Sequence, residues 1–311
     1  MNKAHNISVI ITTYNSSEHI VSAVQSVLAQ FDVTIEIIIV DDCSADFQLL
    51  TERVNAIVGS TPTTILQPEH KGNANISRNI GIKNAQYDHV AFLDADDTWN
   101  PKHLITSINT LNENSLDGCF CQVKLLSDKG SIKSVAKYEN QSDICRYIFK
   151  QNGISVTSAL VINKSTLLDI SFDNELAKHQ DWDFLIRYAN KYRLGQSPYY
   201  GLNYTLSTGV NMSSSFNFSA SIRFMNLTLP VIWHPTFINS QVSKILEQQT
   251  FEQLVLLFQQ LTLHYNQPLS SLGAKNTVTL LSSKNKLMFR MLVKYFQFIK
   301  AGKTYLRALI K

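Results

Sequence analysis

The chain has little cysteine, no long apolar run and, toward one end, no acid at all. Its four cysteines, Cys43, Cys119, Cys121 and Cys145, are too few and too unevenly spaced for a disulfide framework. Cys119-Phe-Cys121 lacks the two-residue gap of a zinc knuckle, so the thiols are expected to be reduced and in or near the core. No stretch approaches the roughly 18 apolar residues of a membrane span. The apolar run from Ile7 to Ile11 is too short for the h-region of a signal peptide, and no small-residue cleavage site follows it. Together these absences lead to the expectation of a cytoplasmic protein. After Glu252 there is no Asp or Glu. Nine of the 28 basic residues and none of the 24 acidic ones lie beyond it, which leaves residues 1–252 at −5 within an overall charge of +4. The two parts of the chain therefore seek different surroundings. At 311 residues there is material for one large α/β domain and an appendage.

The run Ile7-Ser-Val-Ile-Ile reads as a buried strand entering a polar turn, Thr12 to Asn15. Ile20, Val21, Val24, Val27 and Leu28 then fall on one face of a helix over 16–30, with Ser16 or Ser17 placed to cap it. A second buried strand, Ile35 to Val40, ends at once in Asp41-Asp42. A helix over 46–58, a short strand over 63–66, a helix over 72–84 and a strand from Val90 to Leu93 follow. Strand and helix alternate four times, which predicts a parallel sheet with helices on both faces. In such sheets ligands sit at the carboxyl ends of the strands. The polar clusters Thr12 to Asn15, Asp41-Asp42 and Asp94 to Asp97 fall at three such ends and mark one crevice.

The third cluster is the most charged. Asp94, Asp96 and Asp97 repel one another and resist ionising together unless a positive charge sits among them. Hard carboxylate oxygens at a strand end suit Mg(II) or Mn(II), with water and phosphate oxygens completing the shell. The plainer reading is a solvated acidic turn that caps the next helix, with Asp97 or Thr98 as N-cap and Pro101 in the first turn.

Taken in order, Ile-Thr-Thr-Tyr-Asn at 11–15, Val-Asp-Asp-Cys-Ser at 40–44, Arg78-Asn79 between Gly72 and Gly81, and Leu-Asp-Ala-Asp-Asp at 93–97 resemble the family 2 glycosyltransferases. The likeness is strong over about the first 100 residues and looser to about residue 215. It implies the GT-A fold, a mostly parallel central sheet flanked by helices, over residues 1–219. Residues 1–100 would be its nucleotide-binding half and 101–219 its acceptor half. It further implies that Thr12 and Tyr14 line a nucleoside pocket with the Tyr14 ring against the base. Asp41 would accept a hydrogen bond from the base, which selects a ring N–H such as that of uracil or thymine. Arg78 would fork phosphate or ribose oxygens, with a helix-surface salt bridge as the alternative. Asp94 would contact ribose or metal, and Asp96 and Asp97 would hold Mn(II) or Mg(II). Asp42 reads as structural, bonded to turn amides.

Over 102–175 the pattern gives strands at 116–126 and 155–162 and a helix over 143–149, with no motif. In His179-Gln-Asp-Trp-Asp-Phe-Leu-Ile-Arg187, the residues Trp182, Leu185, Ile186 and Ala189 fit one helix face and put Asp181 in the first turn. It is either a capping residue or, by the resemblance, the catalytic base of a Glu-Asp motif in which Gln180 replaces the Glu. The Ser-rich stretch 206–215 lacks the Arg or His that the family often places before it. The segment 220–311 reads as helical and basic, with apolar faces over 251–263 and 284–299. Residues 284–311 carry no acid, which suits an anionic membrane surface; nucleic acid is not expected, since no recognition motif accompanies the basic run. The expectation is an inverting, metal-dependent enzyme that moves a sugar from a nucleotide donor, UDP-linked, to a saccharide or lipid-linked saccharide. It would work at the inner face of a bacterial envelope. A nucleotidyltransferase and an inactive sugar-binding or scaffold protein are the alternatives.

Overall fold

The computed structural model describes residues 5–126, 136–151, 153–205, 216–234, 236–238, 240, 241 and 245. The chain divides into two compact units, Met1–Thr208 and Gly209–Lys311.

The first unit is built on an eight-stranded sheet of order β3-β2-β1-β4-β7-β6-β8-β5. Its strands are β1 (His5–Thr13), β2 (Val33–Asp41), β3 (Thr63–Leu66), β4 (His89–Asp94), β5 (Thr98–Trp99), β6 (Gly118–Leu126), β7 (Leu160–Asn163) and β8 (Leu194–Thr205). The helices between them are α1 (Ile20–Leu28), α2 (Phe47–Asn55), α3 (Ala74–Asn84), α4 (His103–Glu113), α5 (Ile144–Phe149) and α6 (Gln180–Ala189). Strands β3, β2, β1 and β4 are mutually parallel, as the alternating pattern predicts. Both faces of this half are covered. Ile7, Val9, Ile10, Ile11, Ile37, Ile39, Val40 and Val90 are all fully buried, which is why these strands read as continuous apolar runs and not as an alternation.

The second half is mixed. β7 runs antiparallel to both β4 and β6, while β6 pairs parallel with β8. The strand expected over 155–162 is shorter: Thr157–Ala159 forms a 3-10 turn before β7 begins at Leu160. The helix expected over 143–149 is present, with the Asp143 side chain accepting from the Cys145 and Arg146 amides as its cap. The expected caps of two other helices are not. α1 begins at Ile20 without a side-chain cap, because the Ser16 hydroxyl turns back to the Tyr14 carbonyl. α4 begins at His103, because Thr98 and Trp99 are drawn into the sheet against Asn203 and Leu202 of β8.

Cys119, Cys121 and Cys145 are buried and free, with burial pushing the Cys119 and Cys145 thiols up to about 12. They are inert core thiols. α3 lies close on the sheet. A Cβ on Gly81 would stand 2.4 Å from Cγ2 of Ile10, so the glycine sets how near the helix comes to β1.

The described part of the second unit contains α7 (Phe218–Leu227), capped by the Asn217 side chain, and a 3-10 turn at Val231–Trp233. Phe224 packs against Phe237 within it. The helical faces expected over 251–263 and 284–299, and the loop 206–215, lie outside the described residues. Among the described residues no helix is long and apolar enough to cross a membrane.

Candidate active site

The crevice lies at the carboxyl ends of β1, β2 and β4, where strand register alone brings distant residues level. Thr12 pairs with Asp94 across β1 and β4, and the Thr12 hydroxyl donates to Asp94 Oδ1 at 2.8 Å. The same oxygen accepts from Arg78 Nη2 at 2.8 Å. Arg78 is buried on α3, not on a helix surface, and its Nη1 donates to Asn75 Oδ1 at 3.3 Å and to Gln180 Oε1 at 3.1 Å. One guanidinium thus ties the end of β4 to the start of α6, the helix that carries Asp181.

Three asparagines of the 72–81 segment reinforce that tie. Asn73 donates to the Asn174 carbonyl and Asn75 to the carbonyls of Asp173 and Leu176. Asn79 exchanges two bonds with the Phe172 backbone. The chain leading into α6 is thereby stapled to α3. His179 precedes α6 in a left-handed conformation, φ 63°. Asn15 and Cys43, in the turns after β1 and β2, share that uncommon region, as do Asp32, Ser115 and Gln141 elsewhere. The His179 and Trp182 rings stack at 5.2 Å, and Phe149 meets Trp182 edge-on.

The Thr157–Ala159 turn grips the acids from the other side. The Thr157 hydroxyl donates to Asp181 Oδ1. The next residue, Ser158, accepts from the Asp94 amide on its hydroxyl oxygen at 3.0 Å, bonds the Asp97 carboxylate, and accepts from the Trp99 indole on its backbone carbonyl at 2.7 Å. Two adjacent side chains therefore set the separation between Asp181 and the β4 acids. The carboxylates feel one another. Burial, then the charges of Asp94, Asp96 and Asp181, push Asp97 up to about 7 against the lowering bond from Ser158. Asp96, on the solvent side, is raised by partial burial and by Asp94. Half-buried Asp181 is raised chiefly by burial and also by Asp94, while Arg78 and Thr157 pull it back. The Tyr204 hydroxyl, on β8, is raised by burial and then by Asp97, Asp181, Asp96 and Asp94 in turn.

The other side of the crevice lies at β1, β2 and β3. Tyr14 keeps 45% of its surface exposed. Lys71 Nζ lies 3.8 Å from its ring centroid and donates to its hydroxyl at 2.6 Å. Asp42 accepts from the Gly72 amide at 2.7 Å, so it ties the β2 turn to the segment leading into α3 and not to amides of its own turn as expected. Asp41 is fully buried and accepts from the Ser44 amide, the Ser44 hydroxyl and the Gln67 side chain.

Of the eight residues singled out from the sequence, Thr12, Tyr14, Asp41, Asp94, Asp96 and Asp97 lie at or just past strand ends, Asp181 lies in the first turn of α6, and Arg78 reaches Asp94 from within α3. Thr157, Ser158, Gln67, Lys71 and Tyr204 were not singled out. They sit in no recognisable motif, and only the fold brings them to the acids or to Tyr14. Among the described residues no three His, Cys, Asp or Glu side chains converge to hold a metal ion by themselves. The donor set still suits a hard cation. Burial, and after it the neighbouring Asp94 charge, raises both Asp96 and Asp97, and Mg(II) is commonly held by one or two carboxylates with substrate phosphates and water supplying the rest.

The family model described as glycosyl transferase family 2 matches residues 8–164. The chain is 33% identical over 192 residues to the amylovoran biosynthesis glycosyltransferase AmsB of Erwinia amylovora, covering 58% of this chain and 62% of that one. It is 30% identical over 223 residues to the poly(ribitol-phosphate) beta-N-acetylglucosaminyltransferase TarS of Staphylococcus aureus, covering 67% of this chain and 37% of TarS. The chain thus spans less than two thirds of the length of either relative. A crystal structure of TarS residues 1–349 in complex with UDP-GlcNAc superposes with a TM-score of 0.68 at 19% identity, over 94% of this chain and 91% of that one, a likeness of GT-A fold. With the family match running from β1 to β7 and taking in the strand ends that form the crevice, the chain belongs to glycosyl transferase family 2.

Proposed function

We propose that this chain is an inverting glycosyltransferase. It moves a sugar from a uridine diphosphate donor to a hydroxyl of a saccharide or lipid-linked saccharide in bacterial surface polysaccharide assembly. The observation that carries this reading is that Thr157 and Ser158, neighbours in one turn, hold Asp181 and the Asp94/Asp97 pair. A proton acceptor and a phosphate-side acidic cluster thereby share one crevice. The names of AmsB and TarS, and the ligand in the TarS crystal structure, support the polysaccharide setting and the donor class.

In this mechanism Tyr14 offers its exposed face to the base. Arg78 and Asp94 meet the ribose and phosphates. Asp181 takes the proton of the acceptor hydroxyl on its carboxylate. The hydroxyl oxygen forms a bond to the anomeric carbon as the bond from that carbon to the diphosphate breaks, with inversion in a single displacement. Asp96 and Asp97 would hold Mn(II) or Mg(II), which when bound supplies positive charge to the departing diphosphate. The raised position of Asp181 suits its part, since a base works best when its pKa approaches the operating pH. The acid-free segment 284–311 serves in this reading to hold the enzyme at an anionic lipid surface.

The test is Asp181→Asn. It keeps the acceptor for the Thr157 hydroxyl but cannot take a proton. UDP should bind with unchanged affinity by calorimetry, while sugar transfer falls by about 10²- to 10⁴-fold. Turnover at the level of the unaltered enzyme would remove Asp181 as the base.

A further inference from the structure

Eight large apolar side chains are exposed among the described residues. Five are spread singly over the first unit, which is ordinary for a protein surface. The other three, Leu227, Val231 and Ile232, fall within one short stretch of the second unit, at 65%, 69% and 81% exposure. Apolar groups gathered in this way mark a surface that a partner covers.

The exposure is built into the turn. The backbone leaves α7 at Leu227 and enters the 3-10 turn Val231–Trp233 after Pro230. Leu229 and Trp233 are buried and pin this corner from inside. The Leu229 amide donates to the Phe224 carbonyl at 3.1 Å, and the Trp233 amide to the Pro230 carbonyl at 2.9 Å. Buried His234 donates from Nε2 to the Leu229 carbonyl at 2.8 Å. At three residues per turn, a Trp233 that faces inward sends Val231 and Ile232 to the other two sides. Both are β-branched, so little side-chain freedom is lost when they are covered.

The occupant follows from charge. The second unit, Gly209–Lys311, carries eleven basic residues and two acidic ones, Glu247 and Glu252. It stands at +9 in a chain of +4. No Asp or Glu lies between Asp183 and Glu247, the stretch that contains the corner. A second copy docking here would bring a like charge to the same surface. An anionic bilayer attracts that charge and has an apolar layer beneath its headgroups. We infer that Leu227, Val231 and Ile232 insert into the surface of an anionic phospholipid bilayer. This rests on the proposed working place of the enzyme at such a surface, and it names an apolar anchor in addition to the basic segment 284–311. Charge alone is screened by salt, and one anchor alone binds only marginally, so the two act together.

The experiment is sedimentation of the full chain with vesicles of phosphatidylcholine and phosphatidylglycerol, for the unaltered protein and the double variant Val231→Ser, Ile232→Ser. Serine leaves the net charge as it is, so the apolar contribution alone is removed. The unaltered protein should sediment with the vesicles. The variant's partition should fall by about tenfold or more, with its melting temperature unchanged. A lowered melting temperature overturns the inference, since the corner would then pack on the chain itself. So does a dimer in light scattering that the variant loses, which would make a second copy the occupant. Ile232→Trp gives a reading that needs no loss of binding. The emission it adds to that of the three native tryptophans should shift to the blue with these vesicles, and an unshifted emission overturns the inference. If the unaltered protein stays in solution, the membrane reading fails first and this inference falls with it. If it sediments and the serine variant sediments equally, only this inference falls.

Discussion

Replacing Thr157 with valine isolates one bond to the proposed base. Thr157 is 1% exposed, and valine fills nearly the same volume, so the turn and its neighbour Ser158 should stay in place. What is lost is the hydroxyl that donates to Asp181 Oδ1. A hydrogen bond to a charged group contributes about 1.5–3 kcal/mol. The carboxylate gains more from that bond than the protonated carboxyl does, so its removal should raise the pKa of Asp181. The direction follows from the present balance. Burial and the Asp94 charge already hold Asp181 above the ordinary carboxylate range, and the Thr157 bond is one of the two main influences pulling it down. A base must be ionised to act. The rising limb of kcat/KM against pH should therefore move to higher pH, with the rate recovering above it. Stability should move too. A carboxyl whose folded pKa lies above its unfolded value contributes stability at low pH and loses it as pH rises toward the folded pKa. The variant extends that loss upward and should melt lower near neutrality. The assay is UDP release from donor and acceptor across roughly pH 5 to 9. A limb that stays at its original pH, with the rate reduced evenly throughout, would refute the reasoning: Thr157 would then only pack, and the limb would report some group other than Asp181.

Three further outcomes are expected. Asp97, held at about 7 chiefly by burial, should make the metal-free protein less stable as pH rises from about 4 to about 7, by up to about 4 kcal/mol. Asp97→Asn should flatten that slope in thermal melts, and a slope that persists would place its origin elsewhere. Gly81→Ala gains helix propensity but drives a methyl to 2.4 Å from the Ile10 side chain, so a net loss of about 1–2 kcal/mol is expected in urea titration. Because α3 also carries Arg78, UDP affinity should fall with it. Deleting 284–311 should release the protein from anionic vesicles in a sedimentation assay, and undiminished sedimentation would separate membrane binding from that segment.

The parallel half of the sheet was legible because burial on both faces leaves a continuous apolar run, and no other local pattern competes with it. Helix starts were harder to place because their caps depend on distant chain. Thr98 is a good capping residue by type, yet β8, a hundred residues on, claims it for the sheet. Ser16 spends its hydroxyl on Tyr14, and the Ser17 amide donates to Asp46, so neither caps α1. In the site, the acids could be singled out because clustered charge is visible in one dimension. Their partners could not. Thr157, Ser158 and Gln67 are ordinary polar residues in unremarkable company. Their importance comes from 3-10 geometry and strand register, which no periodicity records.

Gln180 shows how one such partner bears on the proposed base. At this position the family resemblance places a glutamate, and here the neutral amide oxygen takes up the bond from Arg78 Nη1 at 3.1 Å. The hydrogen bond survives while a negative charge beside Asp181 does not. Arg78 is then free to weigh on Asp94, its ion-pair partner at 2.8 Å, and on Asp181, whose carboxyl it lowers. A glutamate at 180 would draw that positive charge to itself and add a repulsion of its own, and both effects would raise Asp181 further. The same count bears on the other side of the crevice. Asp94 is answered by Arg78, but Asp96 and Asp97 are raised by burial and then by Asp94, Asp97 by Asp96 as well, and a donor diphosphate would bring more negative charge to the same place. Arg78 is already engaged with Asp94, Gln180 and Asn75, so it cannot by itself neutralise a departing diphosphate, and that is the physical ground for assigning a divalent cation to Asp96 and Asp97 in the proposed mechanism.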